Sequence, residues 1–348
     1  MPKISTPASP ASTTRVRSVG TTVVWCIALT CLVGVLAALS MFIGSGVATP
    51  SQVIGALTGT SGDPFIDVVV MERRLPRTAL AILVGAALAV AGAIIQALTR
   101  NPLADPGLLG VNAGAYLAVA AGLAISGSAS IAAQVPWGLL GAGVAALAVF
   151  LIGGSGRNGG SPTRLVLAGV ALGAVFTGVG YAFTLLNREV FDRIRHWSAG
   201  SVSNREFDVV IAILPFLAIG LALTIVLLGS LDAFALGEDI ARSLGARVGL
   251  TRVLGFFAIT ALCGAATAAV GPIVFLGLMV PHLARAIAGP NQIRIVALAL
   301  VIGPALLLIA DILGRVLVPA EMPAGIVVAF LGAPVLIWVA RRKGANAL

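Results

Sequence analysis

Uncharged apolar blocks of about twenty residues recur along this chain from Val23 to Ala340, and they restrict its fold more than any motif does. A helix of that length spans the hydrocarbon core of a bilayer. In lipid a spanning segment must satisfy its own backbone hydrogen bonds, which leaves helices or a closed barrel; blocks this long, without alternation, are helical. Five blocks stand alone: Val23–Ile43, Thr78–Thr99, Leu165–Asn187, Val209–Leu231 and Met322–Ala340. The uncharged run Pro106–Gly156 is too long for one crossing and divides near Ser126-Gly127-Ser128 and Gln134-Val135-Pro136. Val253–Ala284 divides at Gly271-Pro272, and Ile295–Gly314 completes the set with a single acid, Asp311. The expectation is an all-α integral membrane protein of ten transmembrane helices.

Composition agrees. Hydrophobic residues make up 59% and charged residues 10% of the chain, whereas soluble domains carry about 25% charged residues. No soluble core could bury so much apolar surface. Met1–Gly20 is rich in Pro, Ser and Thr and is expected to be a disordered cytoplasmic tail. The block after it is too long for a signal-peptide core and reads as an uncleaved first span. Residues 21–343 then form one ten-helix transmembrane domain.

An even number of spans puts both termini on one side. With the termini in the cytoplasm, 14 of the 22 basic residues lie inside and eight outside: Arg73, Arg74, Arg77, Arg188, Arg193, Arg195, Arg205 and Arg315. That bias favours this orientation. The net charge of +9 is scattered between apolar blocks, with no run longer than Arg341-Arg342-Lys343, so membrane lipid is the expected neighbour and nucleic acid is not. Cys26, Cys31 and Cys263 lie inside apolar blocks without CxxC spacing and read as small hydrophobes. His196 and His282 fall on opposite sides of the membrane, His282 reading as structural. No metal site and no catalytic constellation is expected.

Gly85, Gly92 and the alanines between them mark close helix packing. LVGAALAVAG (Leu83–Gly92) is echoed by LCGAATAAVG (Leu262–Gly271), which would make the two halves inverted repeats. Between spans six and seven, around residues 233–250, LGEDIARSLGARV (Leu236–Val248) places Glu238 and Arg242 at i, i+4, with Ile240 and Leu244 likewise and Gly245 suited to a helix end. Asp311 precedes Arg315 by four residues, so a local pair competes with an ion-coupling role. A phosphate-binding loop needs Gly-Lys, yet Lys3 follows Pro2 and Lys343 follows Arg342; ATP is not bound by such a motif here.

Four segments in order carry a resemblance: Arg74–Ala115, with its Asn101-Pro102-Leu103-Ala104-Asp105-Pro106 turn; Leu236–Val248; GPIVFLGLMVPHLARAIAGP (Gly271–Pro290); and Ala310–Val339, beginning ADILGR. Together they resemble the FecCD family of bacterial permeases that import iron–siderophore complexes, haem and cobalamin. The resemblance covers about Arg74–Arg342 and implies a BtuC-like type II ABC importer permease in the cytoplasmic membrane, with these partners: a second permease subunit (a homodimer or a similar paralogue), two cytoplasmic ABC ATPases that hold the ATP and Mg, and an extracytoplasmic binding protein. It implies that Glu238, Asp239, Ile240, Arg242, Leu244 and Gly245 couple to the ATPase. It further implies that Arg74, Arg77 and Arg315 meet acidic residues of the binding protein as exposed forks, with no cofactor bound by this chain itself. A ferric siderophore is the expected cargo, with cobalamin and haem as alternatives. An ion-coupled secondary transporter would need more intramembrane charge than Asp311 offers, and an intramembrane enzyme would need a constellation that is absent.

Overall fold

The computed structural model describes residues 19–44, 48–127, 130–154, 162–235 and 237–344, and among them every regular element is helical. In chain order the helices are α1 (Val19–Phe42), α2 (Pro50–Thr58), α3 (Pro64–Asp67), α4 (Leu75–Thr99), α5 (Val111–Ser126), α6 (Ile131–Gly153), α7 (Pro162–Leu186), α8 (Arg188–Ser198), α9 (Phe207–Ala235), α10 (Glu238–Ser243), α11 (Val248–Val270), α12 (Leu276–Ala288), α13 (Gln292–Leu317) and α14 (Ala324–Gly344). Seven of these are long and apolar enough to cross a membrane: α1, α4 with its lead-in, α6, α7, α9, α11 and α13. Three shorter apolar helices, α5, α12 and α14, bring the set to ten, and each coincides with an expected span. The expected tail lies almost wholly outside the described residues.

Two differences from the expected boundaries have physical causes. Span two does not begin at Thr78: α3, a wide π-type turn over Val68–Arg74 and α4 run as one helix of 36 residues. Pro76 cannot donate to the carbonyl one turn back, and widening the turn before it keeps the helix continuous. Pro136 also fails to divide the long run. It sits near the start of α6, and the break comes earlier, where Gly127 caps α5 at φ +59°.

Small residues decide which helices are central. In α4, 78% of the span is buried, against 72% in α11, 67% in α13, 11% in α7 and 6% in α1. A Cβ on Gly92 would lie 1.8 Å from the Gly277 carbonyl oxygen, and one on Gly303 would lie 2.2 Å from that of Gly85. Backbones meet there because nothing larger than hydrogen intervenes, which is how helices associate in lipid. The end of α4 meets the beginning of α11, with Leu98 against Gly255, so the helices carrying the two echoed blocks run antiparallel. After each comes an irregular segment and a short helix: residues 100–110 then α5, and Gly271–Phe275 then α12. Phe275 takes a left-handed φ of +68° to turn the chain into α12. That geometry fits inverted repeats with interrupted helices.

The bundle has two ends. Arg315 at the end of α13 reaches the last carbonyls of α1, and the start of α14 bonds Gly200 just beyond α8. The opposite end carries α10, the Arg100 turn and the start of α13, where Asp232 accepts hydrogen bonds from the Gln292 amide (2.6 Å) and the Asn291 side chain (3.0 Å). The first turn of α1 and the last of α14 lie at this α10 end. About 37 Å of helix separates the ends along α4.

Candidate functional site

At the end away from α10, four charges come together from residues far apart in sequence. Arg77 chelates Asp311 through Nε (3.1 and 3.0 Å to the two carboxylate oxygens) and Nη2 (2.8 Å), and its Nη1 donates to Glu321 at 2.7 Å. Arg315 also donates to Asp311, so one buried carboxylate serves two guanidinium groups. The expected Asp311–Arg315 pair is present, joined by a third partner 234 residues away from the acid.

These arginines also close α1. The last four carbonyls of a helix lack intrahelical partners, and α1 has no basic residue in its final turn. Arg315 Nη1 donates to the Ser40 and Ile43 oxygens, both at 2.7 Å, and Arg74 Nη1 donates to the Met41 oxygen at 2.7 Å. Ser40 and Thr78 share a hydroxyl hydrogen bond at 2.8 Å.

The expectation of exposed arginine forks needs correction on this point. Arg74 is 5% exposed, the Arg315 side chain 1% and the Arg77 side chain 12%. Their hydrogen bonds are spent on Asp311, Glu321 and α1. What faces outward is a bowl of about 1000 Å³ whose rim bears the exposed Arg73 and the partly exposed Arg193, with Arg205, Glu321 and Asp192 in its wall. Arg74 and Arg315 lie at its base. Among the described residues, Arg74 Nη2, Arg315 Nε and Trp197 Nε1 are buried without a hydrogen-bond partner in this same wall.

The opposite end holds α10. Its C-terminus closes as a Schellman turn: Gly245 has φ +86°, its amide bonds the Arg242 oxygen (3.0 Å), and the Ala246 amide bonds the Ala241 oxygen (2.9 Å). Gly245 therefore has the role its sequence position suggested. Glu238 pairs with Arg252 of α11 and lies 3.6 Å from Arg242, while Arg242 bonds Asp239 at 3.0 Å. Ala241 is buried, but Ile240 is 50% and Leu244 64% exposed, so a rigid turn offers two adjacent apolar side chains at the surface. His282 bonds the Pro102 carbonyl at 2.7 Å, and Gln96 bonds the carbonyls of Ala104 and Leu278. Together they lock the Asn101–Pro106 turn to α12, the structural role expected of His282.

A bundle of ten apolar helices, interrupted in its core and bearing polar clusters at its two ends, is the architecture of a multi-pass membrane permease. This chain belongs to the FecCD transport family, whose pattern matches residues 31–342. It is 47% identical over 307 residues, covering 88% of this chain and 91% of the relative, to the ferric enterobactin transport system permease protein FepD of Escherichia coli (strain K12). It is 36% identical over 280 residues, 80% and 84% of the two chains, to the Fe(3+) dicitrate transport system permease protein FecC of the same organism. Among solved structures, an inward-facing transporter assigned to the metal-chelate ABC type superposes with a TM-score of 0.79 at 26% identity, covering 91% of this chain and 98% of that one.

Proposed function

We propose that this chain is the membrane-spanning subunit of an ABC importer that carries ferric siderophores across the bacterial cytoplasmic membrane, energised by separate ATPase chains. The observation that carries the reading is 47% identity, over nearly the whole length of both proteins, to a permease named for ferric enterobactin. The chain performs no chemistry on its cargo; it supplies the pathway. Uptake of radio-iron supplied as ferric siderophore, by cells with and without this gene, tests the reading. Loss of that uptake on deletion is the expected result. Unchanged siderophore uptake with a fall in cobalamin or haem uptake would overturn the cargo and leave the importer.

In this reading both chain termini are cytoplasmic, α10 docks in a cleft of the ATPase, and the bowl receives the binding protein. Ile240 and Leu244 are the docking contact, and Glu238, Asp239, Arg242 and Gly245 hold their turn in shape. Changing Ile240→Glu and Leu244→Glu together is expected to abolish uptake and co-purification of the ATPase while the permease accumulates normally, because both side chains are exposed within this chain. Retained co-purification would remove α10 from the docking role.

Contact with acidic groups of the binding protein begins at Arg73 and Arg193 on the rim. Arg74, Arg77 and Arg315 form the charged floor beneath, and their positive charge draws an entering carboxylate toward the bowl. Arg77 is already held by Glu321, so a docking carboxylate competes with that intrachain one.

A further inference from the structure

A second concavity, of about 850 Å³, opens between α5, α7 and α8 on the side of α8 away from the bowl. The size is that of a pocket for a small organic ligand. Small residues, among them Ala113, Gly173 and Ala174, share its walls with larger apolar side chains such as Leu108 and Ile194. Three aromatic side chains line it: Phe191 from α8, and Tyr116 from α5 and Tyr181 from α7, the chain's only tyrosines.

The arrangement of the two tyrosines is built. The rings meet edge to face, with centroids 5.8 Å apart and planes at 64°. Tyr116 packs against the α7 backbone at Gly180, where a Cβ would come within 2.4 Å of its ring. The Tyr181 residue is 58% exposed, so a ring face stays available to a ligand after the pair has formed. Arg195 on α8 puts a cation at the same cavity.

We infer that Tyr116 and Tyr181 are specificity contacts of this permease, selecting an anionic iron chelate whose outer shell carries aromatic rings. The inference rests on the siderophore-import reading and adds a chemical class to it. A hexadentate chelate hides its iron and shows the permease only its organic shell. An aryl shell presents ring edges and faces that pair with tyrosine rings through their quadrupoles. An aliphatic hydroxamate or hydroxycarboxylate shell gains nothing from them beyond covered area. The small and aliphatic residues around them cannot tell the two shells apart, so discrimination falls to the aromatic rings, above all the paired tyrosines, and Arg195 attracts the negative charge of the complex.

The test uses cells lacking this gene, complemented with wild-type or variant chains alongside the native ATPase and binding protein. The probes are radio-iron loaded on a synthetic tripodal tricatecholate and on an aliphatic trihydroxamate. At equal membrane abundance, the pair Tyr116→Leu and Tyr181→Leu is expected to lower tricatecholate uptake on the order of tenfold. The pair Tyr116→Phe and Tyr181→Phe, which keeps the rings, should stay within about twofold of wild type. ATPase stimulation by loaded binding protein should be the same in all three, separating a pathway contact from a docking defect. Leucine variants that import as wild type, or phenylalanine variants that fail as badly as the leucine ones, would overturn the inference. So would a wild-type chain that imports the trihydroxamate and not the tricatecholate, a result that leaves the importer reading standing. Import of neither chelate would sink both. If the leucine pair does not accumulate, wild-type preference for the tricatecholate at equal binding-protein occupancy decides the matter.

Discussion

Replacing Asp311→Asn is expected to destabilise the protein by about 3–5 kcal/mol, because it leaves two buried arginines facing each other with no shared counter-charge. The isosteric amide keeps the volume, so the effect is electrostatic. Arg77 retains Glu321 as a partner, whereas the Arg315 side chain, 1% exposed, keeps only neutral acceptors on α1. Unfolding of the detergent-solubilised protein, followed by the loss of helical signal, measures the change. A melting curve identical to wild type would show that the cluster contributes no net stability. Replacing all three charged groups at once by apolar residues of similar size should recover part of the loss, since a missing pair costs less than a broken one. Recovery should be incomplete, because the Ser40 and Ile43 carbonyls would lose their donor.

The second large effect is expected from one methyl group. In Gly92→Ala the new Cβ would fall 1.8 Å from the Gly277 carbonyl oxygen, backbone that cannot rotate away. Either α4 and α12 separate or the break ahead of α12 shifts, and a cost of about 3 kcal/mol or more follows. The measurable outcome is a sharp fall in the amount of folded protein in the membrane. Gly143→Ala is the control: it lies inside α6, a Cβ there has nothing within 4 Å, and alanine favours a helix over glycine by about 1 kcal/mol. Equal behaviour of the two variants would refute backbone contact as the reason for Gly92.

The contrast between these two sites shows what the sequence could convey. Gly92 and Gly143 look alike as letters in apolar, small-residue blocks; only the position of the facing helix separates them. Span positions were legible because lipid imposes a length and forbids charge, and both constraints act on contiguous residues. The Gly245 turn was legible for a similar reason, since a helix and its cap are neighbours in the chain. The Asp311–Arg315 pair was visible at i, i+4, but its third member, Arg77, was not, because nothing local marks a contact across 234 residues. The arginines were expected to be exposed, as charges beside a span usually are. Burial followed instead from the unmet carbonyls of α1, and the lack of any basic residue in its last turn was the available hint. The tyrosine pair went unread for the same cause: Tyr116 and Tyr181 lie on different helices, and each alone passes for an interfacial aromatic residue.

The dependence of α1 on Arg315 also sets an order of assembly. On leaving the ribosome, α1 offers carbonyls at Ser40 and Ile43 whose donor lies 275 and 272 residues further along. At about 5–20 residues per second that donor emerges on the order of tens of seconds later. Until then α1, with only 6% of its span buried even in the finished bundle, has little to hold it except lipid and the nearby Arg74 and Thr78. The nascent chain therefore keeps α1 as a loosely held passenger, and α13, made much later, is the helix that fastens it.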